Sequence, residues 1–397
     1  MNQVKLAALI PIAPNTKALI GLVLLLTCSI KAESISYTLA PYGTWTAITC
    51  SGDGATVVAS EWGSSSIFIS TNSGATWVQG PSFGHALGFL TMTPDSKTLV
   101  GLDTGGSSYS SHDLGITWTT NSLPTETVRQ VVISSDGRRW ACIANYAGDF
   151  KPIYVSSDSG VTWQPTSAPV ASWVRIASSG DGSRLAAVQS DGPVYTSTNY
   201  GVSWVSTVPT TNTLYSIVSS ADGTKLVTLA AGGAVYSSTN AGVEWVRISP
   251  RAVAFRGPNV ASSADANVIA GIGASAVEIS TNSGELWNSL DPETSVFVGV
   301  GAVAMSADGS RVFAASSPGL IFTSPLPPPA LTISLQTNSA SVFWQSNQVG
   351  FVLESTPLVS PASIWTPVTN DIYAAGYRYF VTNRLGQPAA FFRLHKL

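Results

Sequence analysis

Arginine side chains are the groups in this sequence best suited to ligand binding. Arg129, Arg175 and Arg256 each lie near the start of a short apolar segment, and a guanidinium fork suits a carboxylate or a sulfate. Other polar or aromatic residues occupy comparable positions or neighbouring loops: Phe89, Gln130, Tyr215, Asn259, Glu61, Trp62 and Tyr146. We predict that these ten residues form a ligand-binding surface.

Catalytic and metal-binding motifs are harder to find. The three histidines, His85, His112 and His395, lack the spacing of metal ligands, and neither GxSxG nor HExxH occurs. We therefore assign no catalytic residue, no metal and no cofactor, and we interpret the chain as a binding protein rather than an enzyme.

Composition excludes one class of partner. The chain has 397 residues, of which 44% are hydrophobic and only 10% charged, with a net charge of -3. A nucleic-acid-binding domain needs a basic stripe, which this balance does not supply. No nucleic acid is expected as a partner, and a monomer is expected.

An eight-residue repeat identifies the structural elements that must position these residues. Its six copies are Ser70–Trp77 (STNSGATW), Ser111–Trp118, Ser156–Trp163, Ser197–Trp204, Ser238–Trp245 and Ser280–Trp287. Successive tryptophans are 41, 45, 41, 41 and 42 residues apart, the period of a four-stranded propeller blade. Each tryptophan is expected to bury on the order of 200 Å² between neighbouring sheets.

Two octet positions explain why the repeat forms a turn. The fifth is always glycine, which provides the positive φ of a tight hairpin. The third is always Asp or Asn, whose side chain binds the backbone of its own turn. These third residues are Asn72, Asp113, Asp158, Asn199, Asn240 and Asn282.

The octets resemble the Asp-box, or bacterial neuraminidase repeat, SxDxGxTW. The resemblance implies a β-propeller of the superfamily that contains sialidases, sortilin-type receptors, xyloglucanases and photosystem II assembly propellers. It says little about function, because the box is a structural element of enzymes and receptors alike. A sialidase is disfavoured: the FRIP motif is absent, its nearest match being Phe255–Pro258, and no Tyr, Glu and Asp set can be assigned.

A second turn, typified by Ser51–Gly54 (SGDG), recurs seven times in phase with the octets. Each blade is therefore predicted to have strand A before this turn, strand B after it, then strand C, the octet and strand D. The residues six positions before each turn aspartate vary in type and form one ring. Those five positions before it are all aliphatic and form a second ring. We predict that the variable ring faces the channel. Its members are Ala47, Phe89, Gln130, Arg175, Ser216, Asn259 and Ala302.

The seventh blade lacks an octet, so its fourth strand must come from elsewhere. Ser36–Ala40 precedes the first A strand, and we predict that it pairs with Leu320–Thr323 and closes the ring. The fold class is thus all-β: a seven-bladed β-propeller closed by an N-terminal strand, followed by a small C-terminal β-sandwich, fibronectin-III-like.

Four segments are predicted. Residues 1–32 have the basic and apolar pattern of a signal peptide, with a lipid anchor at Cys28 disfavoured by Thr27. Residues 33–324 form the propeller, 325–329 a Pro-rich linker, and 330–397 the β-sandwich module. The protein is therefore expected to be exported, with no membrane span after cleavage.

Three functions stay open at this point. The first is non-catalytic binding of a glycan or an extracytoplasmic protein through the channel mouth and adjacent loops. The second is a glycan-active enzyme, a hydrolase or lyase, whose acids are unidentified. The third is an assembly-factor-type scaffold.

Overall fold

The structure, a computed structural model, describes most of the chain. The described residues are 6–9, 36–37, 43–62, 66–82, 84–125, 128–146, 149–189, 192–207, 213–248, 255–273, 276–290, 300–316, 319, 321–325, 332–335, 339–345, 351–356, 364, 366–368, 372–375, 378–384 and 390–396. Most of the expected signal peptide, including Cys28, and residues 326–329 of the linker lie outside them.

The chain divides into two compact units, Ile35–Leu326 and Met1–Ser34 with Pro327–Leu397. The larger unit consists of seven antiparallel sheets arranged as the blades of a propeller. Helix is almost absent from its described part, where a single 3-10 turn spans Ala231–Gly233.

The strands that open the chain and build the first three blades are given in order. They are β1 (Leu6–Leu9), β2 (Ser36–Tyr37), β3 (Trp45–Cys50), β4 (Val57–Glu61), β5 (Ile67–Ser70), β6 (Val78–Gln79), β7 (Leu87–Met92), β8 (Leu99–Asp103), β9 (Ser108–Ser111), β10 (Thr119–Asn121), β11 (Val128–Ile133), β12 (Trp140–Tyr146), β13 (Asp149–Phe150), β14 (Tyr154–Ser156) and β15 (Gln164–Pro165). Strands β3, β7 and β11 are the A strands of blades one to three, and β13 is an extra strand on β12.

The remaining four blades follow the same plan. Their strands are β16 (Trp173–Ser178), β17 (Leu185–Gln189), β18 (Val194–Ser197), β19 (Val205–Thr207), β20 (Leu214–Ser219), β21 (Leu226–Ala230), β22 (Val235–Ser238), β23 (Val246–Arg247), β24 (Phe255–Ser262), β25 (Ile269–Gly273), β26 (Val277–Ser280), β27 (Asn288–Leu290), β28 (Val300–Met305), β29 (Arg311–Ser316) and β30 (Ile321–Pro325). Blade seven has the order β2-β30-β29-β28, with Ser36 opposite Thr323 and Tyr37 opposite Phe322. The predicted closure by an N-terminal strand is therefore present.

The octets form the outer turns between strands C and D, held by one hydrogen-bond pattern. In the fourth copy, Ser197 Oγ donates to Asn199 Oδ1 over 3.0 Å and accepts from Gly201 N over 2.9 Å. Both Tyr200 and Gly201 have positive φ, 60° and 83°. The predicted glycine conformation is confirmed, and the residue before it is left-handed as well.

The octet tryptophans are less buried than expected. All six are half-buried, and the indole N–H of each donates to the carbonyl of its octet glycine, as Trp204 does to Gly201 over 3.1 Å. In the larger unit, the large and fully buried aromatic side chains are instead Trp45, Trp173 and Phe313, which pack between blades. Each octet tryptophan braces its turn and packs against the edge of an inter-blade cluster.

The core is a set of separate clusters, one between each pair of neighbouring blades. Between blades seven and one, Ile48 and Phe68 pack with Ala302 and Phe313. Apolar residues on the two faces of each sheet thus contact opposite neighbours, which makes the disc cohere only when every blade has two partners.

Backbone hydrogen bonds link the A–B turn of one blade to the A–B turn of the next. The donor and acceptor are the second residues of successive turns: Gly52 to Pro94, Ser135 to Gly180, Gly180 to Ala221, Ala221 to Ala264, Ala264 to Ala307, and Ala307 to Gly52. The last bond closes the circle. The step from blade two to blade three has no such bond because Pro94 carries no N–H.

The second unit contains two four-stranded sheets, described here by themselves. They are built from β1 with β31 (Thr332–Leu335), β32 (Ser339–Gln345), β33 (Phe351–Thr356), β34 (Thr366–Pro367), β35 (Ile372–Ala375), β36 (Arg378–Arg384) and β37 (Ala390–Lys396). Their orders are β31-β32-β36-β35 and β1-β37-β33-β34. Strand β1 lies in the segment expected to be a signal peptide.

Candidate functional site

Every A strand carries a β-bulge near its start. In blade three, Val128 pairs with Ala144 and Gln130 with Ile143, which leaves Arg129 as the extra residue. The extra residues of the other regular bulges are Thr46, Gly88, Val174, Tyr215 and Gly301. In blade six the irregularity is larger and spans the residues between Phe255 and Val260.

The bulges change which side chains reach the channel. Arg129 and Tyr215 are exposed, and because strand A is the innermost strand, an exposed residue there faces the channel or its mouth. The variable ring, whose members in the regular bulges directly follow the extra residue, was predicted to face the channel. That prediction is wrong for Ala47 and Ala302, which are buried between blades. Phe89 likewise packs against the cluster between blades two and three. A bulge adds a residue and so removes the strict alternation on which the prediction rested.

The polar members of that ring bind neighbouring blades. Gln130 forms two hydrogen bonds with the main chain of Ile176 in blade four, Nε2 donating to O and Oε1 accepting from N, both 3.0 Å. Asn259 Nδ2 donates to the carbonyl of Gly301 in blade seven. The amide side chains of Gln130 and Asn259 thus hold neighbouring blades together at the mouth.

Arg175 reaches further than the others. Its guanidinium donates to the carbonyl of Val174 over 2.8 Å and, passing blade five, to Asn259 Oδ1 over 3.1 Å. The side chain is thereby fixed between blades four and six, half-buried at the channel.

Arg129 adds a second positive charge close to the first. Burial, together with the charge of Arg129, lowers the pKa of Arg175 to about 10, so the Arg175 guanidinium is charged at neutral pH. Arg129 is exposed and forms no hydrogen bond or ion pair with the residues that the structure describes. An anion held between the two would relieve their repulsion.

Aromatic side chains are exposed around the same end of the disc. Trp62, which follows strand B of blade one, is 58% exposed, and Phe150 in the extra strand of blade three is 45% exposed. Glu61 is half-buried, with its carboxylate against the main chain of Gly43. Tyr146 and Arg256 lie on strands β12 and β24, but their side chains are outside the described atoms.

One cluster on this end escaped the sequence analysis. The Tyr109 hydroxyl donates to Asp103 Oδ2 over 3.1 Å and lies 3.0 Å from His85 Nδ1, and the His85 and Tyr109 rings stack 4.6 Å apart. Asp103 Oδ1 also accepts from the amides of Gly105 and Ser107. Burial raises the pKa of Tyr109, which makes it a poor nucleophile. The cluster braces the loop before β7 against blade two. Its members come from strands β8 and β9 and from that loop, so no sequence spacing indicated it.

Acidic side chains do not assemble into a metal site in the described part of the chain, where no three potential ligands gather. A bilayer-spanning helix is absent from the same residues. The arrangement at the mouth is thus one fixed arginine, Arg175, with the exposed Arg129 close to it, and exposed aromatic rings at the same end of the disc.

The fold defines the chain as a seven-bladed, all-β propeller. Two solved structures share it: YCF48 bound to D1 peptide, with a TM-score of 0.54 and 17% identity over 74% of this chain and 95% of that one, and YCF48 from Cyanidioschyzon merolae, with a TM-score of 0.56 and 15% identity over 74% and 98%. At such identity the likeness concerns the fold. No family model matches the chain, and no curated protein does.

Proposed function

We propose that this chain is an exported, non-catalytic Asp-box propeller that binds an acidic segment of an extracytoplasmic protein at its channel mouth. The observation that carries the proposal is the arginine pair. Arg175 is fixed by two hydrogen bonds, and Arg129 stands beside it without a described partner. A preorganised guanidinium loses little freedom on binding a carboxylate.

A protein ligand is favoured over a small molecule by the exposed aromatic residues around the mouth. Trp62, Phe150 and Tyr215 together offer apolar contact area at low entropic cost. The YCF48 propeller bound to a D1 peptide gives a precedent on the same fold. Arg129, Arg175, Tyr215 and Trp62 are the residues we propose to touch the ligand, whereas Gln130 and Asn259 position the blades beneath it.

The finer features of the architecture belong to the same proposal. Membership of the Asp-box class is supported by the six octet turns with one hydrogen-bond pattern. A C-terminal β-sandwich is supported by the two four-stranded sheets of the smaller unit. The signal peptide stays a prediction from the basic and apolar pattern of residues 1–32.

The proposal is tested with a fluorescent peptide rich in Asp and aromatic residues and its matched Asn counterpart. We expect the chain to bind the acidic peptide more tightly, and Arg129→Ala and Arg175→Ala each to weaken that binding about tenfold or more. Arg138→Ala is the control, because Arg138 is exposed in blade three but follows the turn at the opposite end of strand A.

Equal affinity for the acidic and neutral peptides would overturn the proposal, as would unchanged binding in both arginine variants. The same variants on a glycan array separate the alternative. Arginine-dependent capture of a glycan, without peptide binding, would assign the mouth to sugars.

A further inference from the structure

A cavity of about 130 Å³ opens between blades three and four, away from the channel mouth. Its lining includes Ser157 and Thr162 of the third octet and Gly182 of an A–B turn. Both kinds of turn lie at the end of the strands opposite to the mouth loops. The cavity is therefore a separate site, and nothing in the proposed mouth function uses it.

One wall of the cavity is an arginine stacked on a tyrosine. The guanidinium carbon of Arg139 lies 3.8 Å from the centre of the Tyr200 ring, and the arginine stem covers Gly182, where an added Cβ would come within 2.9 Å of Arg139 Cβ. Stacking fixes the guanidinium plane and leaves its N–H groups pointing outward along their edges.

Those N–H groups have no described acceptor. Arg139 forms no side-chain hydrogen bond or ion pair with the residues that the structure describes. The carboxylate of Asp136, in the same turn, accepts hydrogen bonds from Ser134 Oγ and Arg138 N at Oδ1 and forms none with Arg139. A half-buried guanidinium facing a cavity with open donors is an anion site.

The pair is peculiar to this blade junction. Lys225 occupies the equivalent position at the start of a B strand in blade five, and its ammonium donates to Asn267 and Ser283 of the next blade. The residue matching Tyr200 in three other octets is Ser73, Ser159 or Ser283. A bulky ring at φ 60° is an unfavourable choice for the turn alone, and the stacking on Arg139 is what distinguishes Tyr200 from the residues at this position in the other octets.

The remaining walls indicate the shape and polarity of a ligand. Trp140 and Leu185 form an apolar floor, whereas Gln164 and Ser157 add neutral hydrogen-bonding groups at the exposed edge. The volume is below the roughly 300–1,000 Å³ of sites for drug-sized ligands. It suits one ring with polar substituents.

We propose that this cavity binds an acidic sugar, with the carboxylate in the fork of Arg139, ring C–H groups against the part of the Tyr200 side chain that Arg139 leaves exposed, and hydroxyls toward Gln164 and Ser157. A uronic acid has this combination of one carboxylate, one apolar face and several hydroxyls. A neutral sugar would leave the arginine donors unpaired, and a small aliphatic acid would not contact the exposed part of Tyr200.

The probes are methyl glucuronide, methyl glucoside and acetate, titrated into the full chain and followed by NMR of the tryptophan indole signals. We expect glucuronide to shift the Trp140 indole signal and to bind about tenfold or more tightly than either of the other two. Arg139→Gln and Tyr200→Ser should each abolish the difference. Tyr200→Ser is expected to fold, because serine already occupies this position in three octets.

Arg184→Gln is the matched control, since Arg184 occupies the same position in blade four, and it should bind glucuronide as the parent chain does. The proposal is overturned if glucuronide fails to bind, if glucoside or acetate binds equally, or if Arg184→Gln loses as much as Arg139→Gln. None of these outcomes affects the arginine pair at the mouth, which the peptide experiment tests alone.

Discussion

In each octet turn, a single buried serine hydroxyl satisfies both a side-chain acceptor and a backbone donor. Replacing Ser197 by alanine would leave the buried amide of Gly201 without its 2.9 Å acceptor. We expect a loss of about 1–3 kcal/mol in the free energy of unfolding, measured by urea denaturation. Thr198→Ala is the control: Thr198 is the exposed next residue and should change stability by less than about 0.5 kcal/mol. Equal effects of the two substitutions would contradict this role.

The two octets with aspartate give the fold a specific acid sensitivity. Hydrogen bonds from the Thr117 and Thr162 side chains and amides, and from the octet serines, lower the pKa of Asp113 and of Asp158 to about 2. The unfolded value is about 3.9, so the stabilisation is complete above that pH and is lost as the pH falls through about 2.

The melting temperature of the double variant Asp113→Asn/Asp158→Asn should therefore fall less than that of the parent as the pH falls from about 4 to about 2. At neutral pH it should melt as the parent does, because the other four octets already carry asparagine. Asn199→Asp should steepen the acid dependence in the same assay. An unchanged acid slope in both variants would show that these carboxylates do not set it.

Strands and turns differ in how far they were predictable. The octets and A–B turns could be predicted from the sequence, because a left-handed turn requires glycine and Asp or Asn at fixed positions. The bulges were not, because Thr46, Gly88, Arg129 and Tyr215 share no residue type and a bulge is made by the backbone. The bulges also change the candidate site: Arg129 and Tyr215 are exposed bulge residues, whereas Phe89 is half-buried against the cluster between blades two and three.

The turns also support one another between blades, and this can be measured. Ala221 N donates to Ala264 O over 2.6 Å, and Ala221→Pro would delete that donor alone, since Pro94 shows that the same position accepts proline. We expect a loss of about 0.5–1.5 kcal/mol in urea denaturation. Ala221→Ser keeps the donor, as Ser135 does in blade three, and should be neutral; a proline variant as stable as the serine variant would show that the bond contributes nothing.

The whole disc depends on the seam at which the two ends of the larger unit meet. Without the pairing of Ser36 and Tyr37 with β30, blade seven would have three strands and an open edge. The seam is reinforced by Gly43 and Gly319, whose amides and carbonyls pair over 3.1 and 2.8 Å, and by Trp45 Nε1, which donates to Gly319 O over 3.1 Å. Because each blade stabilises only its neighbours, a weak seam lets unfolding begin there and spread.

Two truncations isolate the strand that closes the seam. A chain that begins at Glu33 retains Ser36 and Tyr37, whereas one that begins at Thr38 lacks residues 33–37 and is otherwise identical. We expect the shorter chain to have a melting temperature lower by several degrees, because the edge strand that pairs with β30 is lost. Hydrogen exchange should then be fastest in β30 and β29. Equal melting temperatures, or exchange that rises evenly in all seven blades, would show that the ring is held by its sheet-to-sheet clusters and not by the N-terminal strand.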